Sequence, residues 1–179
     1  MPIRHSGKSP QQQIKEIKTA IKALPVKLAN TALNHFLNNF NTESFEGKKW
    51  KERNAWAVRN TGRKLLRDTG TLYRAMTKQV NGMSIRVFVA PPADKYGTLH
   101  NDGGTVTIKP NSKSIKFFWA KYYAATSGVE KSRWKAMALA MQSGKSMTIK
   151  MPQRKFMGNS PQLFAKLKAK IETELNKVA

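Results

Sequence analysis

Asp68-Thr69-Gly70 is the triplet that carries the catalytic aspartate of aspartic proteases. There two like-charged carboxylates share one proton, so a chain with a single copy could build that pair only as a homodimer. The context differs from the protease one: Arg63, Lys64 and Arg67 precede the triplet in place of an apolar strand, and a helix-like turn with Leu72, Tyr73 and Met76 follows it. Asp68 or Thr69 reads instead as an N-cap, a short side-chain oxygen accepting a bond from the unpaired amides of that turn. Ser143-Gly144-Lys145-Ser146 has the ending of a phosphate-binding loop, but its leading glycine would fall where the chain has Leu139, and the apolar alternation that follows predicts a strand where the motif needs a helix. His5, His35 and His100 are scattered, with no carboxylate pair or second histidine at ligand spacing, so neither a metal site nor a nucleophile triad emerges. The absence of cysteine removes disulfides, thiolate metal sites and a cysteine nucleophile, and fits synthesis in a cytoplasm. A non-enzymatic protein is the expectation, with no catalytic residue, metal or cofactor.

A different chemistry is suggested by Lys116, Phe117, Phe118, Trp119, Lys121, Tyr122 and Tyr123, followed by Arg133, Trp134 and Lys135. Bases and aromatics interleave in this way on platforms for single-stranded nucleic acid. Half of the rings also alternate as the buried face of a strand should, and aromatic residues and Arg are enriched at protein contacts, so core packing or a protein interface competes with that reading. The charge balance is lopsided, 33 Lys and Arg against 10 Asp and Glu for a formal +23. Such a chain repels its own copies unless acidic neighbours, salt or nucleic acid offset the repulsion. A solvated basic surface that keeps a monomer soluble is the plainer alternative.

The elements that must position these groups follow from periodicity. At 179 residues the chain fits one domain, expected over 11–179, after a flexible basic tail over 1–10 that lacks the apolar stretch of a secretory signal. No run is long and apolar enough for a bilayer span. Ile14, Ile17, Ile21, Leu24 and Leu28 make one stripe of a helix over 11–40, and Val26, Ala29, Leu33, Phe36, Leu37 and Phe40 make a second, rotated stripe. Pro25 predicts a kink or break between them. The second stripe fits the protein's own core and a partner equally well, and one end of so long a helix is expected to project. A loop over 41–49 follows, with Trp50 and Trp56 as its anchors.

Asn81-Gly82 between Val80 and the alternating Ile85, Val87 and Val89 predicts a hairpin. Val106 and Ile108, then Ile115, Phe117 and Trp119, then Met147, Ile149 and Met151 each predict a strand with one buried face. Ala120–Ser143 reads as one or two helices interrupted near Gly128, and Pro161 opens an amphipathic closing helix carrying Leu163, Phe164, Leu167, Ile171, Leu175 and Val178. The predicted fold is α+β: a small antiparallel sheet of about four or five strands packed against long N- and C-terminal helices, with a helical insertion over 111–145.

Three segments in order resemble one family. Leu65-Leu66-Arg67-Asp68-Thr69-Gly70-Thr71-Leu72 precedes the hairpin; Tyr96 and His100 precede Gly103-Gly104; and Ile149-Lys150-Met151-Pro152-Gln153-Arg154-Lys155-Phe156-Met157-Gly158 leads into the closing helix. This succession resembles the phage virion morphogenesis family, which includes tail completion proteins of contractile-tailed and transposable phages and their prophages. The resemblance implies a structural virion protein, made in the bacterial host cytoplasm, that self-associates as a ring and joins tail tube, sheath or head–tail connector proteins near DNA. It marks Asp68, Thr69, Gly70, Leu72, Tyr96, His100, Gly103, Gly104, Pro152, Arg154, Phe156 and Gly158 as motif residues. For these, turn freedom at the glycines, a strand end at Pro152 and anchoring by Arg154 and Phe156 are the expected roles. A sequence-indifferent nucleic-acid-binding protein is the alternative from another class, and a hydrolase built on Asp68 the third.

Overall fold

The computed structural model describes residues 9–53 and 64–177. The expectations placed on residues 1–8, including His5, and on Trp56, Arg63 and Val178 lie outside the described residues. Ser9 and Pro10, expected in the tail, open the first helix: Ser9 Oγ accepts from the Gln12 amide and Gln12 Oε1 accepts from the Ser9 amide, a reciprocal capping box, with Pro10 at the first helical position.

That helix, α1, runs unbroken from Pro10 to Thr42 with Pro25 inside it, so the expected break does not occur. An interior proline costs about 3 kcal/mol. Burial outweighs it, because Leu24, Phe36 and Phe40 all bury their side chains, each contributing about 1.5–3 kcal/mol. The second stripe, apart from the half-exposed Val26, packs into the protein's own core.

Strands β1 (Ser44–Phe45) and β2 (Lys48–Lys49) replace the expected loop with a tight hairpin. Its two central residues, Glu46 and Gly47, both sit at positive φ, 50° and 78°, as a type I′ turn requires. A short α2 (Thr71–Ala75) leads into β3 (Met76–Asn81) and β4 (Ser84–Val89). The hairpin is as expected, with the turn one residue further on: Asn81 still pairs with Ser84, and Gly82 and Met83 make the corner, Gly82 at φ 58°. Helix α3 (Asp94–Asp102), β5 (Gly104–Ile108), α4 (Ser112–Ala124), α5 (Gly128–Gln142), β6 (Met147–Met151) and α6 (Pro161–Asn176) complete the order.

The chain divides into two compact units, one drawn from Met1–Trp50, Arg63–Gly97 and Lys155–Ala179, the other from Lys51–Gly62 and Thr98–Arg154. In the first, Phe40 is fully buried and meets Trp50, Tyr73 and Phe156 at centroid distances of 5.8, 5.7 and 5.0 Å. Leu72, Met76, Val89, Ala93 and Leu163 close this core, so α1 covers the β3–β4 hairpin, which as an isolated pair would be marginal, and α6 packs against α1. In the second, β5 and β6 pair antiparallel and the α4–α5 hairpin, filling the segment expected as an insertion, forms its own small core around Phe118, Ala138 and Met141.

Helix and small antiparallel sheets are thus mixed as expected, but the single sheet of four or five strands is not present. The described residues form three two-stranded sheets. One reason is that Ile115–Trp119 is helical. Asn111 Oδ1 accepts from the Ser114 amide at 2.8 Å and Ser114 Oγ from the Asn111 amide at 3.0 Å, a capping box that starts α4 just where alternation predicts a strand. The helical face then buries Phe118, the residue alternation assigns to the opposite side, while Phe117 is left exposed.

Candidate functional site

The motif residues are divided between the two units and serve mainly as framework. Asp68 and Thr69 are exposed, and the N-cap position of α2 is Gly70 at φ 73°. Thr69 Oγ1 nevertheless accepts from the amide of Thr71, the first residue of α2, at a long 3.4 Å, sits 2.8 Å from Thr71 Oγ1, and the Thr69 carbonyl accepts from Arg74 Nη2 at 2.8 Å. Leu72 and Phe156 are core residues of the first unit, Gly158 lies in the exposed turn before α6, and Tyr96 is exposed on α3.

In the second unit Pro152 directly follows β6, ending the strand as expected. Arg154 is 6% exposed and its guanidinium donates to two carbonyls, Lys51 at 2.8 Å and Glu52 at 3.2 Å, while its amide donates to the His100 carbonyl at 2.7 Å. Burial first, and the nearby Arg154 cation second, push His100 down to about 4. Gly103, at φ 75°, lies against the chain at Gln153, where a Cβ would stand 3.1 Å from the backbone nitrogen. Gly104 faces Leu99 in the same close way, at 3.1 Å.

The first unit holds a polar constellation that the sequence reading did not assemble. His35 Nε2 lies 3.0 Å from Ser160 Oγ; Ser160 Oγ contacts Glu46 Oε1; the Leu163 amide donates to Ser160 Oγ at 3.0 Å; and Lys166 Nζ lies 3.3 Å from His35 Nδ1. One assignment of protons satisfies every contact. Lys166 donates to Nδ1, the neutral imidazole donates from Nε2 to Ser160, and Ser160 donates to the Glu46 carboxylate. Burial, then the Lys166 charge, lower the His35 pKa against an opposing pull from Glu46, in keeping with a neutral ring.

Serine, histidine and glutamate together invite comparison with a hydrolase triad, but the order is different. In a triad the imidazole stands between hydroxyl and carboxylate, so that it can take the hydroxyl proton. Here the hydroxyl stands between imidazole and carboxylate, Nε2 being 4.0 Å from Glu46 Oε1. Ser160 also caps α6 and is 1% exposed, so its oxygen has both acceptor positions filled and no access to a substrate. The chain of bonds ties α1, the β1–β2 turn and α6 together. A second tie lies further along the same helix pair, where Glu174 meets Lys27, Lys177 and Lys170; their hydrogen bonds, Lys27 first, hold its carboxyl down at about 2.

Helical spacing marks the α1 side of the first tie. Ala32, His35, Phe36, Asn39 and Phe40 share one face of α1, and both polar members are buried, Asn39 Nδ2 donating to the Phe156 carbonyl at 3.0 Å.

The aromatic and basic residues of the second unit lie on its helical hairpin. On α4, Trp119 meets Tyr122 edge-on at 5.5 Å and Tyr123 at 6.1 Å, and Tyr123 is 75% exposed. Lys121 Nζ stands 5.7 Å over the Phe117 ring. On α5, Arg133 and Lys135 are exposed, whereas Trp134 stacks on Phe118 at 6.2 Å and belongs to the small core. Core packing and an exposed aromatic surface therefore divide this set between them. Among the described residues no helix is long and apolar enough to cross a membrane, and no three His, Asp or Glu side chains gather as metal ligands would. No family model, curated protein or solved structure matches the chain.

Proposed function

We propose that the protein is a structural, non-enzymatic component of a phage particle, acting in virion morphogenesis as a tail completion or head–tail joining protein. It works by self-association into a ring in the virion and by binding neighbouring tail or connector proteins, with its basic surface near DNA or acidic virion neighbours. One observation carries this reading: large apolar side chains stand exposed on helices of both units, Ile14, Ile21 and Phe164 in one, and Phe117, Tyr123, Val129 and Leu139 in the other. Exposed apolar patches mark contact surfaces more often than they mark chemistry. The succession of motif segments from Leu65 to Gly158 supplies the phage setting.

Light scattering on the full chain at low and high salt tests self-association. A discrete multimer favoured at high salt is expected, since screening relieves repulsion between copies carrying +23. A strict monomer at every salt and protein concentration refutes the ring.

The second reading, sequence-indifferent binding of single-stranded nucleic acid, is favoured by the exposed Tyr123 beside Trp119 and Tyr122 on a lysine-bearing helix. Its signature is a steep fall of log affinity with log salt, lost together with the Tyr123 ring.

A further inference from the structure

The first half of α1 leaves its apolar stripe uncovered. None of the residues from Pro10 to Ala23 is buried, while burial begins at Leu24. Ile14, Ile17 and Ile21 are 53%, 37% and 44% exposed. Further along α1, Lys27 meets Glu174 close to the end of α6 at Asn176, so the preceding turns run on past that partner helix. At 1.5 Å per residue, Pro10 to Ala23 adds about 21 Å of helix.

The spacing of this stripe is informative. Ile14, Ile17 and Ile21 recur at steps of three and four, the a, d and a positions of a heptad, and Leu24 and Leu28 carry the same register on into the part of α1 that packs within the protein. A strict a and d stripe is a narrow seam suited to another helix; a face that lies on a bilayer is wider and carries aromatic anchors, and this stretch has no Trp, Tyr or Phe.

Charge then restricts the partner. In this register Lys18 falls at e, with Lys15 and Lys22 further out on the same side, the g positions of the exposed half hold Gln13 and Ala20, and the stretch's acidic residue, Glu16, falls at the outward position c. A second copy of the helix would bring lysines and no carboxylate to the flanks of the seam, and so could form no interhelical ion pair there. We propose that the exposed half of α1 docks an amphipathic helix of another protein whose flanking positions are acidic. The inference rests on reading the protein as an assembly component, and it assigns α1 to a neighbour and not to the ring contact between copies.

The test uses the full chain and a synthetic helical peptide with Leu at a and d and Glu at e and g, titrated by fluorescence anisotropy. The matched peptide with Lys for Glu, and vesicles containing anionic phosphatidylglycerol, run in parallel. The acidic peptide should bind, the basic one and the vesicles should not. Joint replacement Ile14→Ser, Ile17→Ser and Ile21→Ser should weaken binding by about a hundredfold or more, since each loses most of a side-chain burial. Because all three are exposed, circular dichroism should remain that of the parent. Lys18→Glu with Lys22→Glu should exchange the preference, weakening the acidic peptide and admitting the basic one. Equal binding of both peptides, binding indifferent to the isoleucines, or a preference for vesicles overturns the proposal. So does loss of the protein's own multimer in the isoleucine variant, which would give this seam to a second copy. Light scattering on the same samples separates the two readings: a multimer without peptide binding removes this inference alone, and a monomer that still binds the peptide removes the ring alone.

Discussion

Replacing Ser160 by alanine should destabilise the protein by about 2–4 kcal/mol, if the hydroxyl is the junction that the geometry makes it. Its oxygen caps α6 through the Leu163 amide, and losing such a cap costs about 1 kcal/mol. The change also strips the buried His35 Nε2–H of its acceptor and Glu46 of a donor. Leaving a buried polar group unsatisfied costs about 1–3 kcal/mol, and the partly exposed Glu46 recovers most of its share from water. Urea unfolding followed by circular dichroism would measure the loss. A double-mutant cycle with His35→Leu should give a coupling of about 1–2 kcal/mol, because each single change leaves the other group stranded and the double change does not. A loss under about 0.5 kcal/mol, or additivity within that margin, would refute the chain of hydrogen bonds as a stabilising device.

Gly103→Ala should cost about 1–3 kcal/mol, because the residue sits at φ 75° and the new Cβ would press on backbone at Gln153 that cannot swing away; thermal melting checks it. Asp68→Asn should leave assembly unchanged by light scattering, and any loss of a hydrolytic activity would count against the structural reading. The two perturbed histidines make stability pH-dependent. Protonation is disfavoured in the folded state, so the stability they contribute is present above the usual 6.5 and is lost as pH falls from there towards about 4 for His100. Glu174 adds a second decline, from about 4.5 towards about 2, which Glu174→Gln should abolish in a melting-temperature profile.

Local chemistry carried far where it met no competitor. Ser160-Pro161 starts α6 and Ser127, whose side chain accepts from the Glu130 amide, starts α5 at Gly128, because a cap acts within one turn, whatever lies around it. The β3–β4 hairpin follows in the same way from alternation and an Asn-Gly pair, with only the position of the corner left for the strand register to set. Alternation misled at Ile115–Trp119 because a period of two over five residues is a short record, and the Asn111–Ser114 box upstream commits the backbone to a helix first. Pro25 does not break α1, which runs on through it with Leu24, Phe36 and Phe40 buried once the chain has folded.

What the sequence determined alone was composition, charge, the type of most elements and the absence of cysteine chemistry. Each of these is a property of single residues or of neighbours a turn apart. Only the tertiary structure decided which groups meet. Ser160 reaches His35 across 125 positions and Lys27 reaches Glu174 across 147, and no periodicity records separations of that length. It also decided where along α1 the apolar residues became core: burial begins at Leu24, and Ile14, Ile17 and Ile21 before it remain exposed.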